Sequence, residues 1–284
     1  MIDPQQRFHD SLDVLDAAFA PLSEPSVPVG GCTHCYTDAD LEALAGPVHQ
    51  VPDELIFSVA HETPDHWDDF PGLYRRLTPR IVRLLTAGRF DHAMIASRLL
   101  AAGWGAWPAP ERIAVERVRH AWWRSALHAH PSTGHITHVL ETLSVTAGTL
   151  APWLAAWAET RTEASDLHLS DALDHWLCEG ELADLRLGFY DELHATPELL
   201  PWLLPLEVGC IGAVHAGGVA ASVLAVGGWL ADRRAAHRIM AGQLVLVDIG
   251  PPRRLRSRPG QLQVRDLGHV PGSVDSWALC AKSG

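Results

Sequence analysis

The chain has 284 residues, with 22 basic and 34 acidic side chains and a formal net charge of -12. An apolar fraction of 47% beside 20% charged residues excludes wholesale disorder, and the acidic balance argues against a nucleic-acid-binding protein built on a broad basic face. Five cysteines are too few for a disulfide scaffold, and the polar opening MIDPQQRFHD has no apolar leader, so the expected compartment is a reducing cytoplasm.

Periods of three and four dominate residues 1–204. Phe8, Leu12, Leu15, Phe19 and Leu22 mark a first helix. Thr37, with Asp38 and Asp40 behind it, is a helix start before Leu41 and Leu44. Pro52 suits the first turn of a helix carrying Leu55, Ile56 and Val59. Leu73, Leu77, Ile81, Leu84 and Leu85 form the next stripe, which Pro79 is expected to kink or split. Asp91 to Ala102 reads as a helix closed by Gly103. Pro110 to His130 is the longest candidate, and further helices are expected near 135–147, 150–159, 165–178, 181–194 and 197–204. No alternating run stands out before residue 205. The predicted fold is therefore all-α, a multi-helix bundle or a short helix-pair solenoid. The tryptophans at helical spacing, Trp104, Trp107, Trp122, Trp123, Trp153, Trp157, Trp176 and Trp202, read as core rather than as a ligand pocket.

The composition breaks near Pro205. Residues 1–204 carry a net charge of -16 and residues 205–284 carry +4, and 12 of the 23 glycines fall in the second segment. This predicts a helical domain over 1–204 and an atypical Gly/Arg-rich segment over 205–284. Val208–Ala231 is 24 residues without a formal charge, long enough to span a bilayer, but six glycines and His215 weigh against an anchor. Residues 243–249 are strand-like, and the Arg/Pro/Gly texture after Pro251 suits a loosely packed late addition or a frame-shifted end.

Three stretches carry a resemblance. Gly31-Cys32-Thr33-His34-Cys35-Tyr36-Thr37 with Asp40-Leu41 is the first, residues 69–81 (DFPGLYRRLTPRI) are the second, and Trp104-Gly105-Ala106-Trp107-Pro108 is the third. Together they resemble a group of uncharacterised all-helical actinomycete proteins that share a C-T-H-C-like motif, a D-F-x-x-x-L-P-R-like helix and a W-x-x-W-P-like turn. The resemblance covers about residues 1–204 and implies a helical fold without implying an activity.

The chemical signal is Cys32-x-His34-Cys35. Two thiols at C-x-x-C spacing can face one Zn²⁺ from a tight turn, which Gly30-Gly31 would ease. Zinc needs about four ligands, and His34, His49, His61 and His66 are the nearest donors. The candidate set is Cys32, His34, Cys35 and His61, with His66 as a further remote donor. A redox dithiol and a ligand-free cysteine pair are the competing readings. Residues 61–66 (HETPDH) are not a zincin motif, because the histidines are five apart and Pro64 lies between them. The expected bland role there is a helix end at Glu62, with Asp65, Asp68 or Asp69 capping the next helix. His128, His130, His135 and His138 gather around Pro131 and read as solvated histidines at a helix junction.

Two functions are consistent with these residues. One is an interaction or accessory module, with a protein partner and a structural zinc. The other is a metal-dependent hydrolase whose Cys/His site keeps an open coordination position.

Overall fold

The structure is a computed structural model that describes residues 3–24, 26–132, 134–178, 182 and 184–204. The expectations for 205–284, including the boundary near Pro205, the uncharged run and the strand-like segment, lie outside the described residues. Ten α-helices make up almost all of the regular structure among the described residues. They are α1 (Pro4–Ser23), α2 (Asp38–Ala45), α3 (Asp53–His61), α4 (Phe70–Thr86), α5 (His92–Ala101), α6 (Ala109–His128), α7 (Ile136–Ala147), α8 (Ala151–Glu159), α9 (Glu163–Cys178) and α10 (Thr196–Leu203). None of them is long and apolar enough to cross a membrane.

The helix starts follow their caps. The Thr37 hydroxyl accepts from Asp40 N while the Asp40 carboxylate accepts from Thr37 N, a reciprocal capping box at α2. The Asp69 carboxylate accepts from Gly72 N at α4, and the Asp91 carboxylate from Met94 N at α5. Gly103 ends α5 in the left-handed region at φ 65°. Pro79 does not split α4, which runs unbroken from Phe70 to Thr86. The helix expected over 181–194 is absent from the described residues 184–194. Residues 186–194 form a short antiparallel hairpin, β1 (Arg186–Leu187) and β2 (Leu193–His194). Gly188 and Asp191 turn it through positive φ, and Leu185 N donates to Thr196 Oγ1. Turn chemistry and one side-chain bond outweigh a weak helical pattern there.

The apolar stripes converge on one core. Phe8, Leu12, Leu15 and Phe19 are buried where α1 packs on α6 and α4. The seven tryptophans from Trp104 to Trp176 in the predicted set are buried, as expected, and Trp202 packs half-buried against them. Four of their indole N–H groups find carbonyls: Trp104 donates to Thr146, Trp107 to Ala102, Trp123 to Trp153 and Trp157 to Ser165, whereas the buried Nε1 atoms of Trp153 and Trp202 have no partner among the described residues. Arg119 enters the core between the rings of Trp104 and Trp153, 4.8 and 5.0 Å from their centroids, and donates to the Leu143 carbonyl at 2.7 Å. Burial lowers it to about 10, so it stays charged at neutral pH.

A second buried arginine organises the N-terminal half. Arg76, on α4, donates to the carbonyls of Leu22 (3.0 Å), Leu44 (2.5 Å) and Gly46. These carbonyls close the C-terminal ends of α1 and α2, where a helix leaves acceptors unpaired and favours a cation. Arg76 therefore ties two helix ends to a third helix. Next to them the chain from Ser26 to Val29 is irregular, with Val27 N bonded to Ala45 O at 3.0 Å.

His92 gives the fold a pH dependence. It is buried, its ring stacks on Trp122, and Nδ1 is hydrogen-bonded with Thr142 Oγ1 at 3.0 Å. Thr142 in turn donates to the His138 carbonyl at 3.1 Å. Burial lowers His92 from 6.5 to about 4, with the His138 ring adding to the effect and Asp91 opposing it. The unfolded chain therefore takes up a proton below pH 6.5 that the folded chain refuses down to about pH 4. His92 costs the folded state progressively across that window, by about 3 kcal/mol in all. Urea unfolding from pH 7 to 4 should show this, with the pH slope reduced by close to one proton in His92→Asn. Identical slopes for the two proteins would contradict the assignment.

Candidate metal centre

The site is built from two short segments that cross. Gly31 pairs with Trp67 as an antiparallel bridge. Cys32 N donates to His66 O at 2.8 Å, and Asp68 N donates to Gly30 O at 3.1 Å. Cys32 and His66 thus face each other across one backbone ladder. On one side of the ladder the chain folds back at once, with Cys35 N and Tyr36 N both donating to Cys32 O at 3.1 and 3.0 Å. That turn returns the second sulfur toward the first. On the other side, α3 ends at His61 and a 3₁₀ turn over Pro64–His66 presents the His66 ring.

Gly30 and Gly31 serve this crossing rather than a turn. A Cβ on Gly31 would lie 2.7 Å from Trp67 Cε3, and one on Gly30 would lie 2.0 Å from Asp68 Oδ2. Trp67 is buried, and its ring sits 4.4 Å from that of Tyr36. The Tyr36 hydroxyl reaches Ser58 Oγ at 3.2 Å and donates to Glu62 Oε2 at 3.4 Å. Burial, its largest cause, raises the Tyr36 phenol well above its ordinary value, so it remains a neutral donor.

The ladder gathers three donors. One ligand atom each from Cys32, Cys35 and His66 lies within 4.8 Å of the other two. Cys32 is half-buried, Cys35 is exposed, and they are not joined by a disulfide. The backbone N–H groups of His34 and Cys35 face the Cys32 sulfur and hold its thiol below its ordinary value, with the His34 group the stronger. His66 Nδ1 is buried and makes no hydrogen bond, although Glu62 Oε1 is 3.4 Å away. A carboxylate beside the second ring nitrogen is the usual partner of a ligating histidine. A thiolate-stabilising loop, a second thiol and a half-buried imidazole backed by an acid fit the zinc donor set.

The histidines of the predicted set lie differently. His34 is exposed in the turn between the cysteines and contributes its backbone N–H. His61 is turned away. Its Nδ1 donates to Phe57 O at 2.9 Å and its ring lies 4.2 Å from Phe57 and 5.3 Å from Phe90. His66 takes the place expected for His61. The helix ends at His61, and the next turn redirects the chain, so a residue beyond α3 meets the cysteines. The sequence held no direct signal for the ladder; the paired glycines opposite a Trp-Asp step were its trace.

A cleft of about 590 Å³ lies beside the ladder, lined by residues that include Val29, Gly30, Asp68, Asp69, Arg75 and Arg76. None of the three donors lines it. Arg75 spans to Glu111 at 2.5 Å. Comparison of the chain with protein-family models, with curated proteins and with solved structures found no match.

Gly31→Ala tests the ladder directly. The added methyl must push on the Trp67 ring, an overpacking that costs about 1–3 kcal/mol. Thermal melting should fall accordingly, and Trp67 should become more accessible to a fluorescence quencher. A fully stable G31A protein would show that the crossing is looser than described.

Proposed function

We propose that this chain is a helical interaction or accessory module whose N-terminal half is pinned by a structural zinc at Cys32, Cys35 and His66. The observation that carries the proposal is the backbone ladder that sets His66 opposite Cys32 while a tight turn returns Cys35 to the same place. The ion would cross-link two segments that are otherwise held by a short ladder and one aromatic contact. Glu62 would orient the His66 ring, and the N–H groups of His34 and Cys35 would stabilise the thiolate. Thiolate ligation suits a reducing compartment, so we assign the protein to the cytoplasm. The acidic surface and the described exposed aromatics, Phe189 and Tyr190 among them, suit a protein partner over a nucleic acid.

The donor count favours one alternative, a metal-dependent hydrolase. Three protein ligands leave a fourth position that water can take. Against this stands the cleft, which the donors do not line; a catalytic metal needs a concave place for substrate next to the open position.

Metal analysis of protein purified without added metal should find about one zinc per chain. Cys32→Ser should remove most of it and lower the melting temperature by about 5 °C, roughly 2 kcal/mol for a domain of this size. Zinc should also leave as pH falls, because thiolates and imidazole must take up protons to release it. Metal-free protein as stable as the zinc-loaded form would overturn the structural role.

A further inference from the structure

A second group of donors lies far from the cysteines in sequence. His130 follows α6, and His168 and Asp171 stand three residues apart on α9, one turn of a helix face. One ring nitrogen from each histidine and one Asp171 carboxylate oxygen lie within 4.8 Å of one another. His130 Nε2 is 2.8 Å from Asp171 Oδ2, and the two imidazole rings meet edge to face at 4.7 Å.

His168 is the residue that sets this group apart from a surface ion pair. It is 2% exposed. Its Nε2 donates to the carbonyls of Ala126 (3.0 Å) and Ala129 (2.9 Å), which end α6. That bond fixes the proton on Nε2 and leaves Nδ1 as a lone-pair atom. A histidine held by a backbone carbonyl through one nitrogen is in the state in which the other nitrogen binds metal. The ring, the tautomer and the orientation are therefore set before any ion arrives. Asp171 and His130 reach the same place from the solvent side, which gives an ion a route in. A second layer of imidazole follows: His175 is four residues beyond Asp171 on α9, with its ring 5.0 Å from that of His135.

We propose that His130, His168 and Asp171 form a second metal site, separate from the thiolate centre and selective for a divalent first-row transition cation. Two imidazoles and one carboxylate are borderline donors, suited to Zn²⁺, Co²⁺ or Ni²⁺ and poorly suited to Ca²⁺ or Mg²⁺. On binding, the ion replaces the His130–Asp171 contact with bonds to both groups. Water fills the outward positions. The site ties the loop after α6 to α9.

Cobalt separates the two sites in the unaltered chain, because only a thiolate-bound ion gives the strong sulfur-to-metal charge-transfer band. Titration with Co²⁺ should show one equivalent with that band and a second without it. Asp171→Asn and His130→Ala should each weaken the second equivalent at least tenfold and leave the charge-transfer band unchanged. In the Cys32→Ser/Cys35→Ser double variant, calorimetry with Zn²⁺ should still record about one equivalent that depends on Asp171. Absence of a band-free equivalent in the unaltered chain, or undiminished binding in both the Asp171 and His130 variants, would overturn the proposal. Should the cysteine variant fail to fold, the cobalt spectra of the other proteins decide the matter alone.

Discussion

The N-terminal half depends on a pair of backbone hydrogen bonds, Cys32 N to His66 O and Asp68 N to Gly30 O. They join segments more than thirty residues apart in a protein whose other described backbone pairing lies inside helices, turns and one small hairpin, apart from the Val27 N to Ala45 O bond. Two bonds at a surface hold little by themselves. Each net contribution is about 1 kcal/mol, and the loop they close must be held against its own entropy. The crossing persists because Trp67 packs on Tyr36 beneath it and because both glycines let the strands approach. A metal ion at its edge would add the covalent-strength link that the contact otherwise lacks.

Arg76 supplies the frame on which this crossing sits. A guanidinium is the one side chain that can serve several carbonyls in fixed directions and remain charged at any working pH. By gathering the open ends of α1 and α2 it fixes where the irregular segment leading to Gly31 must start. Burial lowers its guanidinium below the ordinary value, which is the electrostatic cost of that position. The helix-end carbonyls offset it through their own partial charge. The same device recurs in neutral form at His168, which closes the end of α6.

Much of the fold was legible in the sequence because its elements are local. The Thr37–Asp40 box, the Asp69 and Asp91 caps and Gly103 each act within one turn, so a reader of residues can place them. The tryptophan stripes gave the core for the same reason: period fixes the face. Residues 181–194 misled because their apolar spacing is ambiguous and the deciding bond, Leu185 N to Thr196 Oγ1, comes from outside the segment. At the candidate metal site the thiol pair was legible, since its spacing is a local fact. The histidine was not. His61 and His66 differ by one short 3₁₀ turn, and only the ladder decides which of them meets the sulfurs. The His130 group was half visible as a cluster around Pro131. Its other half, His168 and Asp171, was marked by i, i+3 spacing on α9 and needed the packing of α9 against α6 to join it.

Under the proposed function, two sulfurs and one imidazole of this chain would share a zinc ion. Zinc-edge X-ray absorption on the protein loaded with a single equivalent tests it most directly, since sulfur and nitrogen shells separate by distance. The account predicts two sulfur neighbours at about 2.3 Å and the remainder nitrogen or oxygen at about 2.0 Å. A first shell of nitrogen and oxygen alone would place the ion elsewhere and leave Cys32 and Cys35 without the role assigned to them.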